Sequence, residues 1–504
     1  MISSQWDFSQ VNLRLRYDAG KYGGDGREYA GVDEYRPLNL LDADLPVLFP
    51  YTGNGDLVPP PERTRPLTEV QMANVLQMVA TRDPWKEEWV AFWRDHFSIY
   101  GYDGNVRAFL PHWERTVLRE HCWGNFSEML KASAKHPCML YYLNNQSSRA
   151  GSANENYARE LFELHTLGRS AYLNNLYAQW KKVPGALQGK PDGYVDEDVY
   201  EAARAFTGWT VENGAGIGGG QNLPKTGRFT YVESWHDNYQ KRILANELSP
   251  YAGPMQDGHR ALDLCASHPA TAQFLATKIV RRLVSDKPPT GLVKSTAQVF
   301  REHSKSPEQL TLVYEHLVRE AQKIPLIARQ KVRSPRRLVA AFVQAVNLAP
   351  SMEEGRILGP INDAASPIYG WRSPEGPPDA MNAHLSSAYL RGRLQLIQGL
   401  AENWWATGDW NPFDRLPAKR TYAQLLERWQ TSLFGSPRPD LSNALLTSQG
   451  INLNDQVTDV KRACRLVGLL ACSPSFQTES MLPTPSQWAQ ASNRTLVGSS
   501  GVKS

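Results

Sequence analysis

The stretch NENYARELFELHTLG, Asn154–Gly168, decides how the rest of the chain is read. Set at 100° per residue, its Tyr157, Ala158, Leu161, Phe162, Leu164 and Leu167 fill one broad arc, the pattern of a helix laid against a core. Asn154 stands where an N-cap belongs. Glu155, Arg159 and Glu163 fall on the other side at intervals of four, a solvated ladder of ordinary helix-stabilising charges. Glu160 and His165 lie inside the apolar arc, about 140° apart by helix geometry, so they face different neighbours. An ionised carboxylate on an apolar face must find a partner or change its proton affinity. Glu160 therefore reads either as a carboxylate held by an arginine or backbone amides, or as a metal ligand or catalytic group. His165 reads as a hydrogen-bonded core histidine or as a member of the same site.

Upstream, PWKEEWVAFWRDHFSIYG (84–101) is more strongly amphipathic still. Trp85, Trp89, Phe92, Trp93, His96 and Phe97 share one face; Lys86, Glu87, Glu88, Arg94 and Asp95 share the other. His96 thus sits in an aromatic stripe, where a core role competes with a ligand role. Two helices follow on either side of Gly124, with His121 closing the first and Asn125 capping the second. Downstream, DEDVYEAARAFTGW (196–209) and text from 258 to 347 continue the helical period, and closing helices are expected at about 382–404, 420–434 and 456–471. The segment GRFTYVESWHDNYQKRIL (227–244) reads as extended, so adjacent His236 and Asp237 point to opposite faces. The fold class that results is mainly α: a multi-helix array with irregular loops and at most a small β-hairpin. Residues 1–66, rich in Gly, Pro, Asp and Tyr, form an irregular N-terminal arm; 67–480 form a single large helical domain; 485–504 form a flexible tail. The run ENGAGIGGGQN (212–222) matches a G-x-G-x-x-G fingerprint by letter, but with no strand expected before it and no helix after it, it reads as a mobile loop.

Composition narrows the partners. Lysine and arginine total 55 against 51 acids, a net charge of +4 that gives no electrostatic case for nucleic acid. No apolar run approaches the ~18 residues of a membrane span, and the N-terminus lacks the pattern of a signal peptide. The five cysteines are odd in number, scattered and set in apolar text, so they read as core residues.

Several ordered blocks carry a resemblance: FWRDHF, HCWGNF, NENYARELFELHTLG, YVDEDVYEAARAFTGW, WHDNYQKRIL and SHPATAQFLATKIVRRLVSDKPP, with IYGWRSPEGPPDAMN as a later Gly-Trp-Pro-rich loop holding Trp371. Together they resemble the bacterial family known as domain of unknown function 1800, over about residues 85–400. The family's usual opening helix is not recognisable in residues 1–66. The resemblance implies a predominantly helical bacterial protein and, because many members are exported, a periplasmic or exported home; it implies no reaction.

Two functions remain open on these residues. The first is a metal-dependent or carboxylate/histidine enzyme with a site between helices, in which Glu160, His165 and Asp237 act on protons and His96, His121, Glu160 and His236 hold a divalent metal such as iron, manganese or zinc. The second is a non-catalytic binding or scaffold protein in which the same groups form a buried polar network. Its 15 Trp and 21 Tyr would then serve core and interface, with a small molecule, polymer or protein as partner.

Overall fold

The helix Pro84–His96 is buried on both of its faces. Its aromatic stripe packs as expected: Trp89 meets Trp93 edge-on at 5.5 Å and Tyr314 at 5.1 Å, and its indole N–H donates to the Cys122 carbonyl at 2.7 Å. The charged face is covered as well. Glu88 is fully buried, and Glu87 and Arg94 nearly so. Burying such groups is tolerable only because each meets an opposite charge or a donor from a distant segment.

This computed structural model describes residues 11–484 except 25, 55–56, 82, 326–329, 352, 354–355, 365–366, 381–382 and 384, together with 486–487. Among them, 52% helix against 12% strand makes the fold mainly α. The helices Gln256–Ser267, Pro269–Leu283, Thr290–Glu302 and Gln309–Ala321 pack in succession. The helices Pro335–Val346, Ser387–Ala401, Tyr422–Phe434 and Val460–Ala471 pack among themselves, and Pro335–Val346 also lies on Arg65–Ala80. One hydrophobic cluster reaches from Leu13 to Leu482. No helix among the described residues is long and apolar enough to cross a membrane, and all five cysteines are free, four of them buried.

Among the described residues strand structure is spread over seven two-stranded antiparallel pieces, where the sequence suggested at most a small hairpin. Within the arm, Asn12–Tyr17 pairs with Val32–Pro37, turning Leu13 and Leu15 inward, and Arg14 reaches Glu353 of the main body at 3.5 Å. A strand also precedes the glycine-rich run, because Trp209–Asn213 pairs with Lys225–Tyr231 and the glycines form the far end of that hairpin. Strand Lys225–Tyr231 follows the run instead of a helix, so the dinucleotide-binding context is missing. The tail expected at 485–504 falls almost wholly outside the described residues.

Within Asn154–Gly168, the Asn154 side chain caps the helix by accepting from Asn156 N–H at 2.9 Å. The α-helix Glu155–Glu160 then widens into a π turn at Leu161–His165. A wheel drawn at 100° per residue fails beyond that point, since the wider turn holds more residues. Arg159 keeps Glu155 at 3.3 Å but turns its other nitrogen to Asp196 at 3.1 Å. Glu163 leaves the ladder and pairs with Arg169 at 3.0 Å.

Candidate functional site

The histidines and carboxylates singled out by sequence lie in separate environments. His96 is buried, and its Nε2–H donates to the His165 carbonyl at 3.1 Å. Burial, then the charge of Lys278, holds its pKa well below the usual histidine range, so it is neutral. His165 is equally buried and pushed down to about 3 for the same two reasons. His121 sits half-buried on the turn whose carbonyl accepts from Gly124 N–H at 2.8 Å. His236 turns inward, bonding the Thr207 carbonyl at 2.8 Å through Nδ1–H and lying 3.3 Å from Asp257, which also holds buried Lys241 at 2.7 Å. Asp237 turns the other way and takes a two-point bond from Arg204 at 2.8 and 3.0 Å. Among the described residues no three His, Cys, Asp or Glu side chains are grouped as a metal would need. His96, His121, Glu160 and His236 therefore do not form one ligand set, because each is committed to its own helix contacts or stands apart.

Glu160 differs from the rest. It is half-buried, and among the described residues no hydrogen bond or ion pair satisfies its carboxyl. Burial, then the neighbouring Glu163, raises its pKa to about 7, and Glu375 adds to the effect. The carboxyl is thus poised to gain or lose a proton near neutrality.

The most elaborate polar assembly is one that sequence reading missed. Glu114 is fully buried; its two oxygens meet Arg94 at 2.5 and 3.1 Å, it stands 3.6 Å from Arg119, and it accepts from the Tyr369 hydroxyl. Burial alone would raise its pKa, but Arg94 and Arg119 outweigh burial and bring it down to about 2. Arg119 forms a two-point pair with Glu87 at 3.1 and 2.7 Å. Arg282 lies 3.0 Å from Asp95 and 3.6 Å from Glu88, which also accepts from Ser334 Oγ at 3.3 Å.

This assembly borders a partly open cavity of about 80 Å³. The end of helix Pro84–His96, helix Pro269–Leu283, the start of helix Pro335–Val346, helix Leu358–Ala364, the loop 367–377 and helix Ser387–Ala401 all contribute to its wall. Five arginines line it, Arg94, Arg282, Arg333, Arg336 and Arg393, against one carboxylate, Asp95; the apolar side is formed by Ile99, Ile361 and Trp371. The loop is pinned over the cavity by main-chain bonds. Its Tyr369 carbonyl accepts from Gly101 N–H at 2.8 Å, its Ile368 carbonyl from Gln71 at 2.8 Å, and its Ser373 carbonyl from Ser98 Oγ at 3.1 Å. Gly376 makes the close approach possible: its φ is +74°, and a Cβ there would lie 2.1 Å from the Asp95 carbonyl oxygen. The signal for this site was present as arginines embedded in apolar helical text, KIVRRLVSD and SPRRLVAAF, but nothing local says that they converge.

Fold and site together define a mainly helical protein with a continuous core and an arginine-lined pocket closed by a Gly-Trp-Pro loop. A family model described as protein of unknown function (DUF1800) matches residues 29–478, and the chain belongs to that family. The match begins inside the N-terminal arm and extends past the expected 85–400 at both ends. No curated protein and no solved structure matches the chain.

Proposed function

We propose that this chain is a binding protein that takes a small molecule into the cavity beneath the 367–377 loop, its buried histidines and carboxylates serving to fix the helix packing. The observation that carries this reading is convergence: six segments spread from residue 94 to residue 393 meet around one pocket, while the candidate metal ligands do not meet among the described residues. A concave, largely apolar pocket with a few fixed polar groups is the usual form of a small-molecule site. Among the described residues His96, His121, Glu160 and His236 do not come together as an iron, manganese or zinc site would need.

A fragment screen by ligand-observed NMR on the wild type and on Ile361→Trp tests it. The larger side chain fills the cavity from helix Leu358–Ala364, and circular dichroism checks that the variant folds. Fragments that bind the wild type and are lost from the variant support the reading. Hits that bind both equally, or a stoichiometric metal in the purified protein, overturn it.

A second reading is favoured by Glu160. An unpaired carboxyl titrating near neutrality is the form of a general acid or base, and its neighbour Glu375 belongs to the loop that closes the pocket. Turnover of a bound fragment that disappears in Glu160→Gln would carry the protein into the enzyme class.

A further inference from the structure

We infer that the pocket is an anion site: it takes a small organic anion whose oxyanion head, a carboxylate or phosphate monoester, meets Arg393, Arg336 and Arg94, and whose apolar body lies against Ile99, Ile361 and Trp371. The inference rests on the pocket being the ligand site and names the chemistry it selects.

The charges around the cavity do not balance. Arg94 is answered by Glu114, Arg282 by Asp95 and Glu88, and Arg333 shares Glu479 with Arg337. Among the described residues no hydrogen bond or ion pair ties Arg336 or Arg393 to a carboxylate; Arg336 feels Asp95 and Glu88 at longer range, but burial and Arg94 outweigh them, and Arg393 is next to Arg333. Arg393 is 1% exposed, yet its bonds run only to neutral acceptors, Gln477 Oε1 at 3.1 Å and the Arg333 carbonyl at 2.6 Å. Its Nη2 and the Nη1 of Arg94 are buried without any acceptor. Native interiors leave few buried donors unpaired, and a guanidinium costs more to leave so than a neutral group. The planar fork of arginine matches carboxylate and phosphate oxygens, and two uncompensated cations suit a mono- or dianion. The opposite wall offers Ile99, Ile361 and the indole of Trp371, so a bare inorganic ion would leave apolar surface uncovered.

Isothermal titration of the full chain with benzoate and phenyl phosphate, against neutral benzamide and against inorganic phosphate, tests the proposal. At least one organic anion binds about tenfold or more tightly than benzamide, as loss of a charge-assisted bond requires. Whichever of the two binds more tightly identifies the head group. Arg393→Gln and Arg336→Gln each weaken that anion about tenfold or more. Without ligand, both variants melt at or above the wild-type temperature, since each loses an uncompensated charge; a purely structural arginine would give a lower one. Benzamide binding as tightly as benzoate, lost in Ile361→Trp, overturns the anion assignment and leaves the pocket reading standing. Anion affinity unchanged in both arginine variants, or tighter binding of inorganic phosphate than of either organic anion, also overturns the assignment. No binding by any of the four probes removes both readings.

Discussion

Replacing Glu114 with glutamine strips the charge from the centre of the Arg94–Glu114–Arg119 assembly while keeping its shape. Glu114 is completely buried; in the variant Arg94 would face one neutral amide oxygen and the Asn74 side-chain oxygen with an amide NH2 in place of its second acceptor, and Arg119 would keep Glu87. Removing one partner of a buried pair costs about 3–5 kcal/mol, most of it from the cation left behind. Proton linkage gives an independent figure: a pKa lowered from an ordinary 4.5 to about 2 corresponds to about 3 kcal/mol of stability. Because the folded pKa is the lower one, that stability is fully present above pH 4.5 and is lost as pH falls towards 2. Urea unfolding followed by circular dichroism at pH 7 should therefore place Glu114→Gln about 3 kcal/mol or more below the wild type. Between pH 4.5 and pH 3.5 the gap should narrow by about 1 kcal/mol, since the unfolded wild type then takes up a proton that the folded carboxylate, still paired with Arg94, does not. A variant within about 1 kcal/mol of the wild type at pH 7, or a gap that stays constant in acid, would refute the reasoning.

Two further outcomes are expected. Gly376→Ala forces a positive φ on a residue with a Cβ and drives that atom into the Asp95 carbonyl, so it should cost at least about 1–2 kcal/mol and weaken pocket ligands, read by urea unfolding and titration. Glu160→Gln should match the wild type at pH 4 and be the more stable protein at pH 8: the wild-type carboxyl holds its proton up to about 7 when folded but only to about 4.5 when unfolded, so wild-type stability falls as pH rises between those values. Thermal melts across that range check it, and a variant less stable at pH 8 would mean that Glu160 has a stabilising partner.

The helices were legible because their apolar period is local. Trp89, Trp93 and Phe97 lie in the core where the wheel puts them. What covers the polar face was not legible, since amphipathicity says which residues are charged and nothing about a distant Arg282 or Ser334 that will bury Glu88. The strand Asn12–Tyr17 was readable from its alternating Leu13 and Leu15, but the glycines around it masked a period of two. Glu163 was misplaced for a different reason: the π turn at Leu161–His165 breaks the regular rotation on which any wheel depends. The pocket was half visible, with Trp371 marked by the family-like loop and its arginines unmarked, because convergence is a property of the tertiary fold alone.

The ion assembly also imposes an order on synthesis. Glu88 leaves the ribosome 246 residues before Ser334, and Glu114 leaves it 255 residues before Tyr369. At about 5–20 residues per second these groups wait some tens of seconds for their partners. During that interval Glu87 and Arg94 already have Arg119 and Glu114 beside them, but Glu88 and Asp95 lack Arg282 and Ser334, so the burial of that part of helix Pro84–His96 waits for the segments that build the pocket.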